Sequence, residues 1–292
     1  MPRSLPEGVA ALARTIVPTR WRRWLRRAAA DGPQRLRDLP ADLVSLAAPS
    51  AFGGPLPPPA LRSRVGQLSR RVFRSVGVDG SRQIQAAFAR TRAPGRAYPD
   101  WLDFGCGCGR LARYVAGLPD VANLRGVDVD ADLVGWAARA LPDRARFATM
   151  SPDPPLAFAD ASLDVVYAIS IFTHYTEQEQ VAWLDELRRV LRPGGLLLAT
   201  TIAPALAGGF PGVSARDLAR LEESGFLCVN ADSASFNERA AFHSRDYLRA
   251  QWGRRFTPRL HEPAGFVGYQ DLTVWEKPAA PPRRPGSTAS RP

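Results

Sequence analysis

Trp101-Leu102-Asp103-Phe104-Gly105-Cys106-Gly107-Cys108-Gly109-Arg110 reads as a short apolar strand that runs into a glycine-rich turn and then opens a helix. Glycines at alternate positions let the backbone bend sharply and approach a ligand where a β-carbon would collide. In open α/β sheets, ligands sit at the carboxyl ends of the strands, where such a turn lies. On its own, Gly-x-Gly-x-Gly also fits nicotinamide and flavin enzymes, which hold a pyrophosphate at a helix N-terminus. Two acids shift the balance. Asp103 would repel a pyrophosphate but suits a cationic amino group. Asp128 ends the next strand, Arg125-Gly126-Val127-Asp128, where a carboxylate accepts hydrogen bonds from ribose hydroxyls.

Working outward, strands are expected near 100–104, 124–128, 145–149, 164–169 and 195–201, with helices near 109–117, 131–140 and 176–191. This alternation predicts a parallel sheet covered on both faces. The last helix should stop at Arg192-Pro193-Gly194-Gly195, because proline cannot extend it and the glycines permit a tight turn. Upstream, residues 61–93 read as helical, with Ile84, Ala87 and Phe88 as a buried stripe before the Pro94-Gly95 break. Downstream, the pattern loosens over 203–242. A helix near 244–252 and strands near 255–261 and 269–275 follow, the strands separated by Pro263-Ala264-Gly265.

Four segments in this order resemble the class I S-adenosylmethionine-dependent methyltransferase family of small-molecule type. They are Asp103-Phe104-Gly105-Cys106-Gly107, Gly126-Val127-Asp128, Ser162-Leu163-Asp164-Val165-Val166-Tyr167 and Leu187-Arg188-Arg189-Val190-Leu191-Arg192-Pro193-Gly194-Gly195. The resemblance covers 99–202 and extends toward Trp275. It implies an α/β, Rossmann-like seven-stranded sheet with helices on both faces and an antiparallel last strand. It also implies S-adenosylmethionine as cofactor and S-adenosylhomocysteine as product. The cofactor-binding set it implies is Asp103, Gly105, Cys106, Gly107, Gly109, Asp128, Val129, Ser151, Pro152 and Ser170. Within that set Asp103 and the glycine turn lie near the methionine moiety, Asp128 meets the ribose, and Ser151 and Pro152 flank the adenine. Family members often carry an acid just after the third strand, whereas this chain has Ser151-Pro152-Asp153 there.

The 292 residues suffice for one full α/β core and leave about a third of the chain for additions. With 45% hydrophobic and 23% charged residues, the composition is that of a soluble globular protein. The net charge of +11 is uneven: residues 1–98 carry 18 Arg against 5 acids, and residues 99–277 carry 18 cations against 23 acids. The expected division is an Arg-rich, helical N-terminal extension with a Pro-rich linker (1–58), a helical lid or lead-in (59–98), a methyltransferase domain (99–277) with an acceptor-side insertion (203–253), and a disordered tail (278–292). Arg and Trp interleave around Trp21, Trp24 and Leu25, which fits nucleic acid, an anionic membrane surface or a solvated face over a lid. The longest apolar run, 196–210, is interrupted by Thr200, Thr201, Pro204 and Gly208-Gly209, so no spanning segment is expected, and a cytoplasmic location is. Cys106, Cys108 and Cys228 are too few for a disulfide framework, and no second Cys pair or nearby His completes a metal site.

A sulfonium methyl group is already activated, so the protein must align the acceptor and, for a hydroxyl, take its proton. The loop Ser170-Ile171-Phe172-Thr173-His174-Tyr175 should face the methyl group, which makes His174 the candidate base; otherwise it caps or packs the following helix. His243 and His261 are weaker candidates. The leading function is methyl transfer to an oxygen or nitrogen of a small metabolite or glycan. The alternatives are an RNA methyltransferase using the basic N-terminus and a nonenzymatic cofactor-binding scaffold.

Overall fold

Short apolar runs bounded by turn residues build the sheet in a computed structural model, which describes residues 55–66, 69–233 and 235–279. The expectations for the Arg-rich segment up to 54 and for the tail from 280 lie outside the described residues. The strands are β1 (Asp100–Phe104), β2 (Asn123–Asp128), β3 (Arg146–Thr149), β4 (Leu163–Ala168), β5 (Leu191–Thr201), β6 (Phe226–Val229), β7 (Ala240–His243), β8 (Thr257–Phe266) and β9 (Gln270–Glu276). Seven of them form one sheet in the order β3-β2-β1-β4-β5-β9-β8. Strands β1 to β5 run parallel, and β9 is antiparallel to both β5 and β8. The antiparallel last strand is the one expected from the sequence. Chain order reverses on either side of β1, so the switch-point crevice opens at the carboxyl ends of β1 and β4.

The helices are α1 (Pro59–Arg64), α2 (Arg70–Thr91), α3 (Ala112–Val115), α4 (Ala131–Ala140), α5 (Glu177–Val190), α6 (Ala215–Ser224) and α7 (Arg245–Gln251). Successive strand side chains point to opposite faces, and the two cores divide accordingly. Trp101, Val165, Tyr167, Leu196 and Leu198 pack with Ile84, Ala87 and Phe88 of α2 and with α3. Leu102, Phe104, Val166 and Leu197 pack with Trp183, Leu184 and Leu187 of α5 and with Leu248 and Trp252 at the end of α7. Each such side chain, fully removed from water, contributes about 1.5–3 kcal/mol. Among the described residues no helix is long and apolar enough to cross a membrane.

Several boundaries differ from those expected. The stretch 61–93 is two helices, because the chain breaks after α1 and restarts at Ser69, whose side chain caps the α2 N-terminus. The helix expected over 109–117 shrinks to the four residues of α3, since the glycine turn continues through Leu111. Helix α5 ends at Val190, and β5 begins at Leu191 rather than 195, pairing first with Leu163 before the register shifts. The loose region 203–242 contains a helix and most of a hairpin. Ser214 and Asp217 form a capping box at the start of α6, and Gly225 ends it in the left-handed conformation (φ +74°). Strand β7 then packs at the carboxyl end of β5, with the His243 amide donating to the Ile202 carbonyl at 2.9 Å. Strand β8 runs on to Phe266, so the Pro263-Ala264-Gly265 break is an irregularity within it.

Candidate functional site

The glycine turn is pinned to β2 by backbone bonds. The Gly105 and Cys106 amides both donate to the Val127 carbonyl, at 2.8 and 2.9 Å. Gly105, Gly107 and Gly109 have φ of +80°, +51° and +71°, a region that L side chains occupy only with strain. At Gly105 an added β-carbon would lie 2.0 Å from Ile171 Cδ1, and at Gly107 2.8 Å from Val65 Cγ1. The turn therefore lies directly under two aliphatic side chains, one from the loop after β4 and one from the segment after α1.

Two carboxylates flank this turn. Asp128, at the end of β2, accepts the Gly107 amide at 2.8 Å and the Asp130 amide at 2.9 Å. Burial raises its pKa, and the two amides oppose that rise. Asp103 is buried on β1, one strand position before the turn, with Tyr167 beside it on β4. Burial pushes its carboxyl up to about 8. Tyr167 and Arg110 pull it down and the Asp128 charge raises it. Burial outweighs the others, and the Tyr167 hydroxyl beside the carboxyl reaches no partner in full hydrogen-bonding geometry. A carboxyl in this state gains most from a cation brought to it, since pairing offsets the cost of ionising it out of water.

The remaining residues of the expected set spread along the same crevice. Cys106 is buried within the turn. Its thiol is held well above its ordinary pKa by burial, and that of Cys108 is pushed to about 11, so neither offers a thiolate at neutral pH. Val129 follows Asp128 and is 37% exposed. Ser151 and Pro152 lie exposed just past β3, where the Met150 amide donates to the Asp128 carbonyl at 2.9 Å. Ser170 has φ +60° and is turned toward β5 and β9: its amide donates to Thr200 Oγ1 at 2.7 Å and its hydroxyl to Gln270 Oε1 at 3.0 Å.

The three histidines separate clearly. His174 sits in a short 3-10 turn after β4, and its Nδ1 donates to the Arg239 carbonyl at 2.9 Å. Burial lowers its pKa despite the Arg239 and Phe236 carbonyls, so the ring is neutral at pH 7. It does not cap α5, a task taken by Thr176 and Glu179. His243 is 1% exposed, within hydrogen-bonding distance of Gln180, and burial lowers its pKa to about 3. His261 pairs with Asp271 at 2.9 Å on the β8–β9 ladder. Sequence reasoning missed Val65, Ile171 and Arg110. Val65 and Ile171 read as ordinary aliphatic residues, and Arg110 as the first residue after the turn.

Comparison with known proteins agrees with this geometry. Residues 102–195 match the family model of a methyltransferase domain. Methyltransferase GfsG of Streptomyces halstedii is 34% identical over 106 residues, 35% of this chain and 37% of that protein. O-methyltransferase cnsE of Penicillium expansum is 30% identical over 156 residues, 47% of this chain and 55% of that protein. The chain thus matches well under two thirds of these relatives' lengths. Among solved structures, an S-adenosylmethionine-dependent methyltransferase from Mesorhizobium loti superposes with a TM-score of 0.53 at 17% identity, covering 69% of this chain and all of that one. The fold, with its glycine turn between two strand-end acids, is that of the class I S-adenosylmethionine-dependent methyltransferases, and residues 102–195 match a methyltransferase domain.

Proposed function

We propose that this protein transfers the methyl group of S-adenosylmethionine to an oxygen or nitrogen of a small metabolite. The observation that carries the reading is the juxtaposition of Asp103 and Asp128 on either side of the glycine turn, both at carboxyl ends of adjacent strands. Asp103 suits the cofactor's ammonium group, Asp128 its ribose hydroxyls, and the three left-handed glycines the close approach of its methionine chain. Ser151 and Pro152, past β3, stand where an adenine ring would extend. When bound, the cofactor supplies an activated sulfonium methyl group.

The protein's own share is alignment and proton transfer. His174 stands on the turn after β4, its Nδ1 proton held by the Arg239 carbonyl, which leaves Nε2 as the accepting nitrogen for an acceptor hydroxyl. The 3-10 turn and β7 pack at the carboxyl ends of β4 and β5, and the region 203–253 supplies the acceptor side. The relative named an O-methyltransferase gives a 156-residue match, which favours oxygen as the first atom to test.

The test is calorimetric titration with S-adenosylmethionine and S-adenosylhomocysteine, followed by methyl-label transfer to a panel of hydroxylated and aminated small molecules. Binding at micromolar levels with transfer to a panel member is expected. His174→Ala should leave S-adenosylhomocysteine affinity unchanged while slowing transfer to a hydroxyl by about 10²–10⁴-fold. No binding of either nucleoside would sink the reading.

A further inference from the structure

Arg110 closes the glycine turn and touches two systems at once. Its charge interacts with that of Asp103. Among the described residues its guanidinium makes one hydrogen bond, Nη1 to the Val65 carbonyl at 3.2 Å. Val65 is also the residue whose Cγ1 fills the space above Gly107. The strap that carries it, residues 55–66, lies across the turn: Leu56, Leu61 and Val65 pack near Phe73, Cys108 and Leu133. Arg64 bonds Asp130 at 2.9 and 3.0 Å and Asp132 at 2.9 Å, just beyond Asp128. Such exposed ion pairs contribute about 0–1 kcal/mol each, beside the apolar packing and the Arg113 Nη1 bond to the Pro55 carbonyl at 3.0 Å that also anchor the strap.

Resting on the cofactor reading above, we propose that Arg110 receives the α-carboxylate of the bound cofactor, and that exchanging the Val65 carbonyl for that carboxylate releases the strap from the glycine turn. The chemistry favours the exchange. A guanidinium binds a carboxylate through two parallel charge-assisted bonds, each stronger than a bond to a neutral carbonyl. Arg110 is a cation, and Asp103 is a buried carboxyl that ionises when a cation is brought to it, so the two together match a zwitterionic amino acid. Ligand carboxylate and strap compete for one guanidinium, so binding of the amino-acid end and release of residues 59–66 are thermodynamically linked.

The experiment is hydrogen exchange, read by mass spectrometry on the full chain, with S-adenosylhomocysteine or with 5′-methylthioadenosine. The second ligand keeps the nucleoside and the sulfur but lacks the amino-acid end. Exchange of amides in 59–66 should rise with the first ligand and stay unchanged with the second. Arg110→Gln should bind methylthioadenosine as the wild type does and lose about 10–100-fold of the preference for S-adenosylhomocysteine, the loss that goes with a hydrogen-bonded charge pair. An equal strap response to both ligands, or an undiminished preference in Arg110→Gln, would overturn the proposal. The exchange comparison uses unaltered protein and stands even if the variant misfolds. If neither ligand binds the wild type, the cofactor reading itself fails, an outcome distinct from the loss of selectivity alone.

Discussion

Asp128 holds the Gly107 amide at 2.8 Å through Oδ2, while its Oδ1 holds the Asp130 amide at 2.9 Å. One carboxylate thus fixes the glycine turn on one side and the start of α4 on the other. Asp128→Ala strips both amides of their acceptor in a half-buried setting. The expected cost is about 1–3 kcal/mol of stability, since a buried donor left unpaired loses its hydration without recompense. Urea unfolding of the variant reads this directly, and S-adenosylhomocysteine affinity should fall at least tenfold in parallel. Unchanged stability would show that water replaces the carboxylate freely.

Asp103 sets a pH dependence whose sign follows from burial. Its carboxyl has an ordinary pKa of 3.8 and is raised to about 8 in the folded protein. Between those values the folded state holds a proton that the unfolded state has released, so stability contributed by this group declines as pH rises from about 4 to about 8. Asp103→Asn, which cannot ionise, should escape that decline. The variant should gain in melting temperature relative to the wild type as pH rises toward 8, while binding S-adenosylhomocysteine far more weakly. A cationic amine paired with Asp103 also demands the ionised form, so the wild type should release a proton on binding near pH 7. Calorimetry in buffers of differing ionisation enthalpy detects that release, and a buffer-independent enthalpy would contradict the pairing.

At Gly105 two costs are separable. Gly105→Ala forces an L residue to φ +80° and drives its β-carbon to 2.0 Å from Ile171 Cδ1. Left-handed strain for a non-glycine residue costs on the order of 1–3 kcal/mol, and the overlap adds to it. Ile171→Ala in the same chain removes the overlap but not the strain. The double variant should therefore be more stable than the effects of the two single changes predict when added, with a residual loss relative to Ile171→Ala. Strict additivity would mean that Ile171 moves aside without cost.

The places of the core strands along the chain and the acid–glycine–acid core of the site were legible because each rests on local chemistry. A strand must be an apolar run, a left-handed turn must use glycine, and a carboxylate at a strand end follows from the strand's length. Helix α6 was not read from the sequence: Ser214, Asp217 and Gly225 are capping signals, but only Leu218 and Leu221 give it an apolar stripe, and Leu218 is 38% exposed. The helix closes over a small cluster around Ile202 and Phe242 rather than over the main sheet, so its period was faint. Val65 over Gly107 and Ile171 over Gly105 had no local signal. Each is a contact between segments far apart in sequence, fixed by where α1 and the loop after β4 fall once the sheet has formed.

The interior histidine gives a test of burial alone. His243 is 1% exposed, stacks edge-on against Phe226 and Trp252, and reaches Gln180 Oε1 through Nε2 at 3.1 Å. Gln180 Nε2 lies 2.9 Å from the same ring nitrogen and donates to the Tyr175 carbonyl at 3.1 Å, so the Gln180 amide is the ring's polar neighbour whichever tautomer it adopts. Burial lowers the pKa from 6.5 to about 3. In the unfolded chain the same ring gains a proton below about 6.5, so the unfolded state binds more protons and stability falls as pH drops from about 6.5 toward 3. His243→Leu removes that proton uptake together with the bond to Gln180. Its urea midpoint should be lower than that of the wild type at pH 8, and the gap should narrow steadily as pH falls to 4.5. A gap that stays constant across this range would mean that His243 takes up a proton in the folded protein, which would place it in contact with water or with Asp271 rather than in a dry core.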